Sequence, residues 1–223
     1  ANQISHYYLS LGAKKGDVIA VMIENRSELV ACIVALAKIG VTAALVNTSQ
    51  VGKVLAHSIN LVNPIAVIVG EECRVAVDEI RNDLSVAPER LHWFADQATL
   101  IDAGKAPKGF QNLAQLIEQF PKFNPPTTQS VKGKDGLFYI YTSGTTGLPK
   151  AVIFTNSRWT LAYGTYGHIL NLTPDDVMYV TLPLYHATGT VVCWCGVIAG
   201  AATLAIRRKY STSSFWKDVQ KFD

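Results

Sequence analysis

Residues 139–150 read YIYTSGTTGLPK, and the rest of the chain is best understood outward from them. They begin inside a run of strand formers, Leu137, Phe138, Tyr139, Ile140 and Tyr141. The composition then changes abruptly. Thr142, Ser143, Thr145 and Thr146 bring hydroxyls into a run punctuated by Gly144 and Gly147, Leu148 and Pro149 follow, and Lys150 closes it. Residues 151–154 return to strand character. Glycine lets a backbone approach a ligand and adopt positive φ. Successive N–H groups can form an anion-binding concavity, and hydroxyls and a lysine donate to phosphate oxygens. The pattern is not a Walker A loop, which needs Gly directly before the Lys and Ser or Thr directly after. Pro149 and Ala151 stand there instead. The flanks predict strand–loop–strand, so a helix dipole is not the main phosphate ligand. A flexible hydroxyl-rich hairpin would share this composition, but such linkers rarely carry a lysine set by a proline.

Upstream, strand and helix patterns alternate. Strands are predicted at 18–23, 42–46 and 65–69. Between them lie a helix over 27–39, with Ser27 as N-cap and Gly40 as terminator, and one capped by Thr48 or Ser49 and running to about residue 62. Asn63-Pro64 breaks the second. This alternation implies right-handed βαβ units and a parallel sheet, hence an α/β fold. A short helix at 75–82 and a strand at 91–94 follow. Asn112 with Gln115 resembles a capping box opening a helix that Pro121 stops. Residues 121–134, with Pro125-Pro126, form a loop or linker and the best internal boundary.

Downstream, a helix is expected over 157–170, with Trp159, Tyr163, Tyr166 and Leu170 on one core-facing side. Residues 173–176 read as a turn whose aspartates are turn residues rather than a metal pair. A strand at 177–182 ends at Pro183. His186 follows, at the carboxyl edge where open α/β sheets bind ligands. No charge occurs between His186 and Arg207. That length could span a bilayer, but its glycines and threonines favour a buried helix to about residue 199, a turn at Gly200 and a strand over 202–206. A further helix starts near Ser213.

The 223 residues are 49% hydrophobic and 17% charged, a globular balance, and a net charge of +3 is too small to imply nucleic acid. Arg207, Arg208 and Lys209 read as the solvated end of a strand. Cys32, Cys73, Cys193 and Cys195 lack framework or C-x-x-C spacing and read as reduced thiols. No signal peptide is recognisable at the start, so Asn25, Asn47 and Asn171 read as chance sequons. His6, His57, His92 and His168 have no functional context.

TSGTTGLPK resembles the phosphate-binding signature of the adenylate-forming, or AMP-binding, superfamily, which includes acyl-CoA synthetases, luciferases and peptide-synthetase adenylation domains. With LPLYHATG at 182–189, the longer run resembles the fatty acid transport protein and very-long-chain acyl-CoA synthetase branch. The likeness spans nearly the whole chain and is strongest over 135–216. Residues 47–50, NTSQ, depart from the Asn-Leu-Arg run of that branch.

The resemblance implies a layered parallel-sheet N-terminal domain, incomplete, with ATP, Mg²⁺ and CoA as cofactors or co-substrates and a fatty acid as substrate. It assigns ATP or AMP binding to Tyr139, Ile140, Tyr141, Thr142, Ser143, Gly144, Thr145, Thr146, Gly147, Leu148, Pro149 and Lys150. It makes Tyr185 and His186 the gate of the acyl pocket. The family's acidic Mg²⁺ partner, its ribose-holding T-G-D segment and its C-terminal lid with the adenylation lysine find no match, so no catalytic or metal residue is assigned. The expectation is a partial adenylation domain over 1–223, the first part of a longer enzyme, trimmed at its amino end and inactive alone. The whole would be a long-chain or very-long-chain fatty acid–CoA ligase, cytoplasmic, with peripheral association at the inner face of a membrane left open, as is the oligomeric state. A fatty-acid uptake or trapping protein with secondary ligase activity is the alternative, and a naturally short nucleotide-binding remnant a third reading.

Overall fold

The computed structural model describes residues 1–96, 104–143 and 147–222. Its centre is a seven-stranded sheet built from β1 (Val18–Met22), β2 (Thr42–Leu45), β3 (Ala66–Gly70), β4 (Leu91–Phe94), β5 (Gln111–Asn112), β6 (Gly136–Thr142) and β7 (Lys150–Thr155). Their order is β5-β4-β3-β1-β2-β6-β7. Every neighbouring pair is parallel except β6 and β7, which form an antiparallel hairpin. The strand–loop–strand expectation therefore holds. The two-residue β5 was not legible in the sequence.

The strand order reverses around β1. The chain steps from β1 to β2 on one side, then crosses back to β3 on the other. Right-handed crossovers made in opposite directions must lie on opposite faces of the sheet. Accordingly α2 (Ser27–Ala37) joins α1 (Asn2–Ser10) over Ile19, Val21, Ala43, Leu45 and Ile68. α3 (Gly52–Asn60) and α4 (Arg74–Glu79) cover Ala20, Met22, Ala44, Val67 and Val69. With both faces covered, the strands read as unbroken apolar runs.

Three local expectations need correction. Ser27 is the first residue of α2, not its cap; Arg26 occupies the N-cap without a side-chain bond, and the Ser27 hydroxyl donates to Glu28 at 3.2 Å. Neither Thr48 nor Ser49 caps α3, which begins only at Gly52. Asn47 Oδ1 accepts from the Ser49 backbone N–H at 2.8 Å, and that local turn competes with helix initiation. Gly40 does end the α2 region at φ +68°, but after α7 (Cys195–Gly200) the left-handed residue is Ala201, at φ +53°, rather than Gly200. Gly200 serves packing instead: a Cβ there would lie 2.4 Å from the Leu172 carbonyl oxygen.

α5 (Leu113–Ile117) opens with the anticipated cap, the Gln115 backbone N–H donating to Asn112 Oδ1 at 3.3 Å. The segment 121–134 runs along the α1 side. Asn2 donates to the Lys122 carbonyl, and the Lys15 ammonium meets Asp135 at 2.6 Å. Strands before and after it share one sheet.

Beyond the hairpin, α6 (Asn156–Leu170) ends at Asn171, left-handed at φ +46°. The expected core-facing stripe holds in part: Trp159 and Tyr166 are half-buried and pack against the core, Ala162 beside them is buried, and Tyr163 is 39% exposed. A narrow seam joins α6 to α7, where a Cβ on Gly167 would touch Ala199 and one on Gly196 would touch Leu170. β8 (Val177–Val180) and β9 (Thr203–Ile206) form a separate parallel pair, followed by α8 (Thr212–Lys221). Among the described residues no helix is long and apolar enough to cross a membrane.

Candidate functional site

The carboxyl ends of β2 and β6 open into a cavity of about 300 Å³. Asn47 and Gln50 line it from the loop after β2, and Tyr141, Thr142 and Ser143 from the end of β6. Gly147 and Pro149 return along its side, and Tyr185 with His186 completes it from the segment after β8. Residues far apart in sequence, predicted separately for phosphate and for acyl contact, thus share one space. Gly144, Thr145 and Thr146 lie outside the described residues. Gly147 sits at φ +86° with open space where a Cβ would point, a conformation glycine supplies without strain.

Lys150 is placed differently. With His57, Asn63, Tyr139 and Leu148 it lines a neighbouring space of about 600 Å³ on the α3 side of the hairpin, and Pro149 lines both. The hairpin is therefore a wall with hydroxyls toward one cavity and its lysine toward the other. Ile140 borders neither; it is buried in the α2-side core.

α3 holds this wall at its base. The Tyr141 hydroxyl donates to the Ser58 carbonyl at 2.7 Å, and burial pushes the phenol pKa up. His57 Nε2 lies 3.1 Å from the Pro149 carbonyl oxygen.

The Tyr185–His186 pair hangs on a turn that the sequence reading undervalued. Asn25, 4% exposed, donates through Nδ2 to the carbonyls of Leu182 (2.8 Å) and Arg207 (3.2 Å). It accepts the Leu184 backbone N–H at Oδ1, 2.7 Å away. The Thr190 hydroxyl donates to the Leu184 carbonyl. Gly189 lets the turn close, since a Cβ would stand 2.6 Å from the Pro183 oxygen. The helix then continues as a π-helical stretch, Thr188–Trp194, a wide winding often found beside functional sites. Tyr185 is half-buried and His186 exposed, with ring centroids 4.6 Å apart.

The cluster Arg207, Arg208, Lys209 is the solvated strand end expected only at Lys209, which is exposed; Arg207 and Arg208 are half-buried, and all three are paired. Arg207 pairs with Asp218, Arg208 with Asp96 at 2.6 Å, and Lys209 with Glu24 at 2.6 Å. The hydrogen bond to Glu24 raises the Lys209 pKa. Arg26, buried at the same strand ends, donates to the carbonyls of Phe94 and Ala95 and faces Glu72 at 3.5 Å. These contacts tie the β8–β9 unit to the carboxyl edge of the main sheet. The signal available in advance was an alternation of acid and base at 24, 26, 28 and 207–209, but not its pairing.

The cysteines are all free; Cys32 and Cys195 are buried, and burial pushes each thiol up to about 12. Asp176 Oδ2 accepts from the Thr173 backbone and hydroxyl, the turn role expected. Among the described residues no group of three or more His, Cys, Asp or Glu could hold a metal ion. The hydroxyls, glycine and lysine of the hairpin suit a polyphosphate, whereas among the described residues Mg²⁺ finds no carboxylate in the 300 Å³ cavity lining.

An open α/β sheet with a hydroxyl–glycine–lysine hairpin at its carboxyl edge places the chain in the class of α/β domains that present ligand sites at their strand ends. More narrowly, the chain belongs to the AMP-binding enzyme family, whose model matches residues 1–223. It is 34% identical over 220 residues to the medium/long-chain-fatty-acid–CoA ligase FadD6 of Mycobacterium tuberculosis, covering 98% of this chain and 34% of that protein. It is 36% identical over 227 residues to long-chain fatty acid transport protein 1 of Rattus norvegicus, again covering 34% of the relative. The chain thus spans about a third of the length of these relatives. Among solved structures, the inhibitor-bound N-terminal domain of FACL13 from Mycobacterium tuberculosis superposes with a TM-score of 0.81 at 22% identity, over 99% of this chain and 51% of that one. An anthranilate CoA ligase, AuaEII, in complex with anthranoyl-AMP gives 0.83 at 18%, over 99% and 40%. At these identities the structural matches show the fold.

Proposed function

We propose that the natural gene product containing this chain is an ATP-dependent, AMP-forming fatty acyl-CoA synthetase acting on long or very long chains. The observation that carries the proposal is the shared cavity of Thr142 and Ser143 with Tyr185 and His186. In the first step a carboxylate oxygen attacks the α-phosphorus of ATP, forming the acyl–phosphate bond and releasing pyrophosphate. In the second, the CoA thiol attacks the acyl carbon, loses its proton and expels AMP. Residues 142–146 hold the departing β- and γ-phosphates, Lys150 offsets their charge from the other side of the hairpin, and Tyr185 and His186 border the acyl entrance. Mg²⁺ would supply further charge neutralisation; no described residue is assigned to hold it. The residues named here position and neutralise; none is a nucleophile.

The test is ATP–pyrophosphate exchange dependent on fatty acid. Lys150→Ala should lower the exchange rate on the order of a hundredfold, as loss of a preorganised charge-stabilising group does, with the thermal midpoint unchanged. Wild-type-like exchange in that variant would remove Lys150 from its role. A second reading, fatty-acid uptake with ligation secondary, is favoured by the names of the transport-protein relatives. Uptake that persists in a variant without exchange would support it. We place the protein on the cytoplasmic side, at or near a membrane; recovery wholly apart from floated vesicles with oleate present would count against the membrane placement.

A further inference from the structure

Two consecutive residues of α3 hold the two arms of the hairpin. Ser58 accepts the Tyr141 hydroxyl on the outgoing arm, and His57 meets the Pro149 carbonyl on the returning arm. A carbonyl oxygen can only accept, so the bond requires the His57 proton on Nε2. The last paired residues of β6 and β7 are Thr142 and Lys150, which leaves Pro149 outside the ladder. Proline also has no N–H to donate. Its carbonyl is therefore the polar backbone group that Pro149 itself offers for fixing the peptide leading into Lys150, and His57 reaches it from 92 residues upstream. His57 and Lys150 then line the same 600 Å³ space.

We infer that His57 is a positioning residue: its Nε2–H, donated to the Pro149 carbonyl, sets the backbone from which the Lys150 ammonium reaches the phosphates of ATP. The inference rests on the nucleotide reading proposed above. Its chemical logic is that a lysine is a point charge on a flexible four-carbon stem. The stem cannot aim the charge unless its root is fixed, and displacements of an ångström in such groups cost up to about a hundredfold in rate.

Three variants of the gene product test it. His57→Phe keeps the volume and removes the donor, whereas His57→Gln returns an amide N–H at nearly the same reach. The expected result is a rise on the order of tenfold in the KM for ATP with His57→Phe, the worth of one hydrogen bond, with fatty-acid KM unchanged. His57→Gln should recover most of it at the same thermal midpoint. In Lys150→Ala, the His57→Phe change should add little, because the group being positioned is gone. Equal impairment in the Phe and Gln variants, or a full additive effect in Lys150→Ala, would overturn the role. A wild-type protein lacking fatty-acid-dependent exchange would sink the acyl-CoA reading instead. The bond can then be judged separately by ring ¹⁵N shifts of His57: a proton on Nε2 sustains the clamp, and a proton on Nδ1 alone overturns it.

Discussion

Replacing Asn25 by alanine should open the turn that presents Tyr185 and His186, and the loss can be read at one backbone amide. Asn25 is 4% exposed and makes hydrogen bonds to Leu182, Leu184 and Arg207. The variant leaves the Leu184 N–H without its acceptor, in a residue that is 1% exposed. A buried donor stranded in this way costs about 1–3 kcal/mol, and each bond lost from the two carbonyls adds roughly 0.5–1. The sum is on the order of 2–5 kcal/mol. Much of it falls on local opening of the 182–184 turn, so the Leu184 amide should exchange with solvent deuterium about tenfold to a hundredfold faster under native conditions. Asn25→Asp keeps the acceptor and removes both donors. That variant should leave the Leu184 amide protected while still lowering the thermal midpoint. The assay is native-state hydrogen exchange on the gene product containing this chain, with melting followed in parallel. If Asn25→Ala left Leu184 exchange within about twofold of the parent, the turn would be held by something else and the keystone argument would fail.

The buried imidazole of His92 sits between two phenols, with Tyr7 Oη at 2.8 Å from Nε2 and Tyr8 Oη at 3.0 Å from Nδ1. Burial, helped by the charge of Arg90, lowers its pKa to about 4. A lowered folded-state pKa means that the stabilisation is fully present above the ordinary value near 6.5 and is lost as pH falls to about 4; the span is worth about 3 kcal/mol. His92→Gln should flatten the melting midpoint between those pH values relative to the parent, and parallel curves would refute the assignment. For Lys209 the sign is opposite: its raised pKa contributes stability below the lysine value of 10.5, lost as pH climbs through the raised one. Glu24→Gln should return the Lys209 titration to the ordinary range in an NMR pH series. Because the lysine side chain is 76% exposed, the stability change should be below about 1 kcal/mol.

What could be read in advance was what depends on near neighbours. The core strands announced themselves because Ile19, Val21 and Val67, Val69 are apolar on both faces of a sheet covered on both sides. The hairpin was legible because its two strands flank one short window that holds the hydroxyls, the glycines and the lysine. The Asn112 cap was legible for the same reason, its partner lying three residues on. What stayed hidden has the opposite character. Asn25, Asn47 and Asn171 read only as chance sequons, and the structure adds what their side chains and backbones do: a buried tether, a turn-former and a left-handed helix terminus. For Asn25 the partners are 157 and 182 residues away, and only the folded β8–β9 unit brings them near. The pairing of Arg208 and Lys209 was not legible because Asp96 and Glu24 lie over a hundred positions earlier.

His57 is the sharpest case. As a residue in an amphipathic helix it carries no motif, although it and its neighbour Ser58 are points at which α3 meets the β6–β7 hairpin. Such a role is invisible from periodicity, because it uses a backbone carbonyl, and any residue type can supply one. It becomes visible only when the accounting turns from side chains to backbone groups and asks where each unpaired carbonyl finds its donor. Applied to Pro149, which the ladder leaves out and which has no N–H of its own, that question has a single answer among the described contacts, and the answer is a histidine.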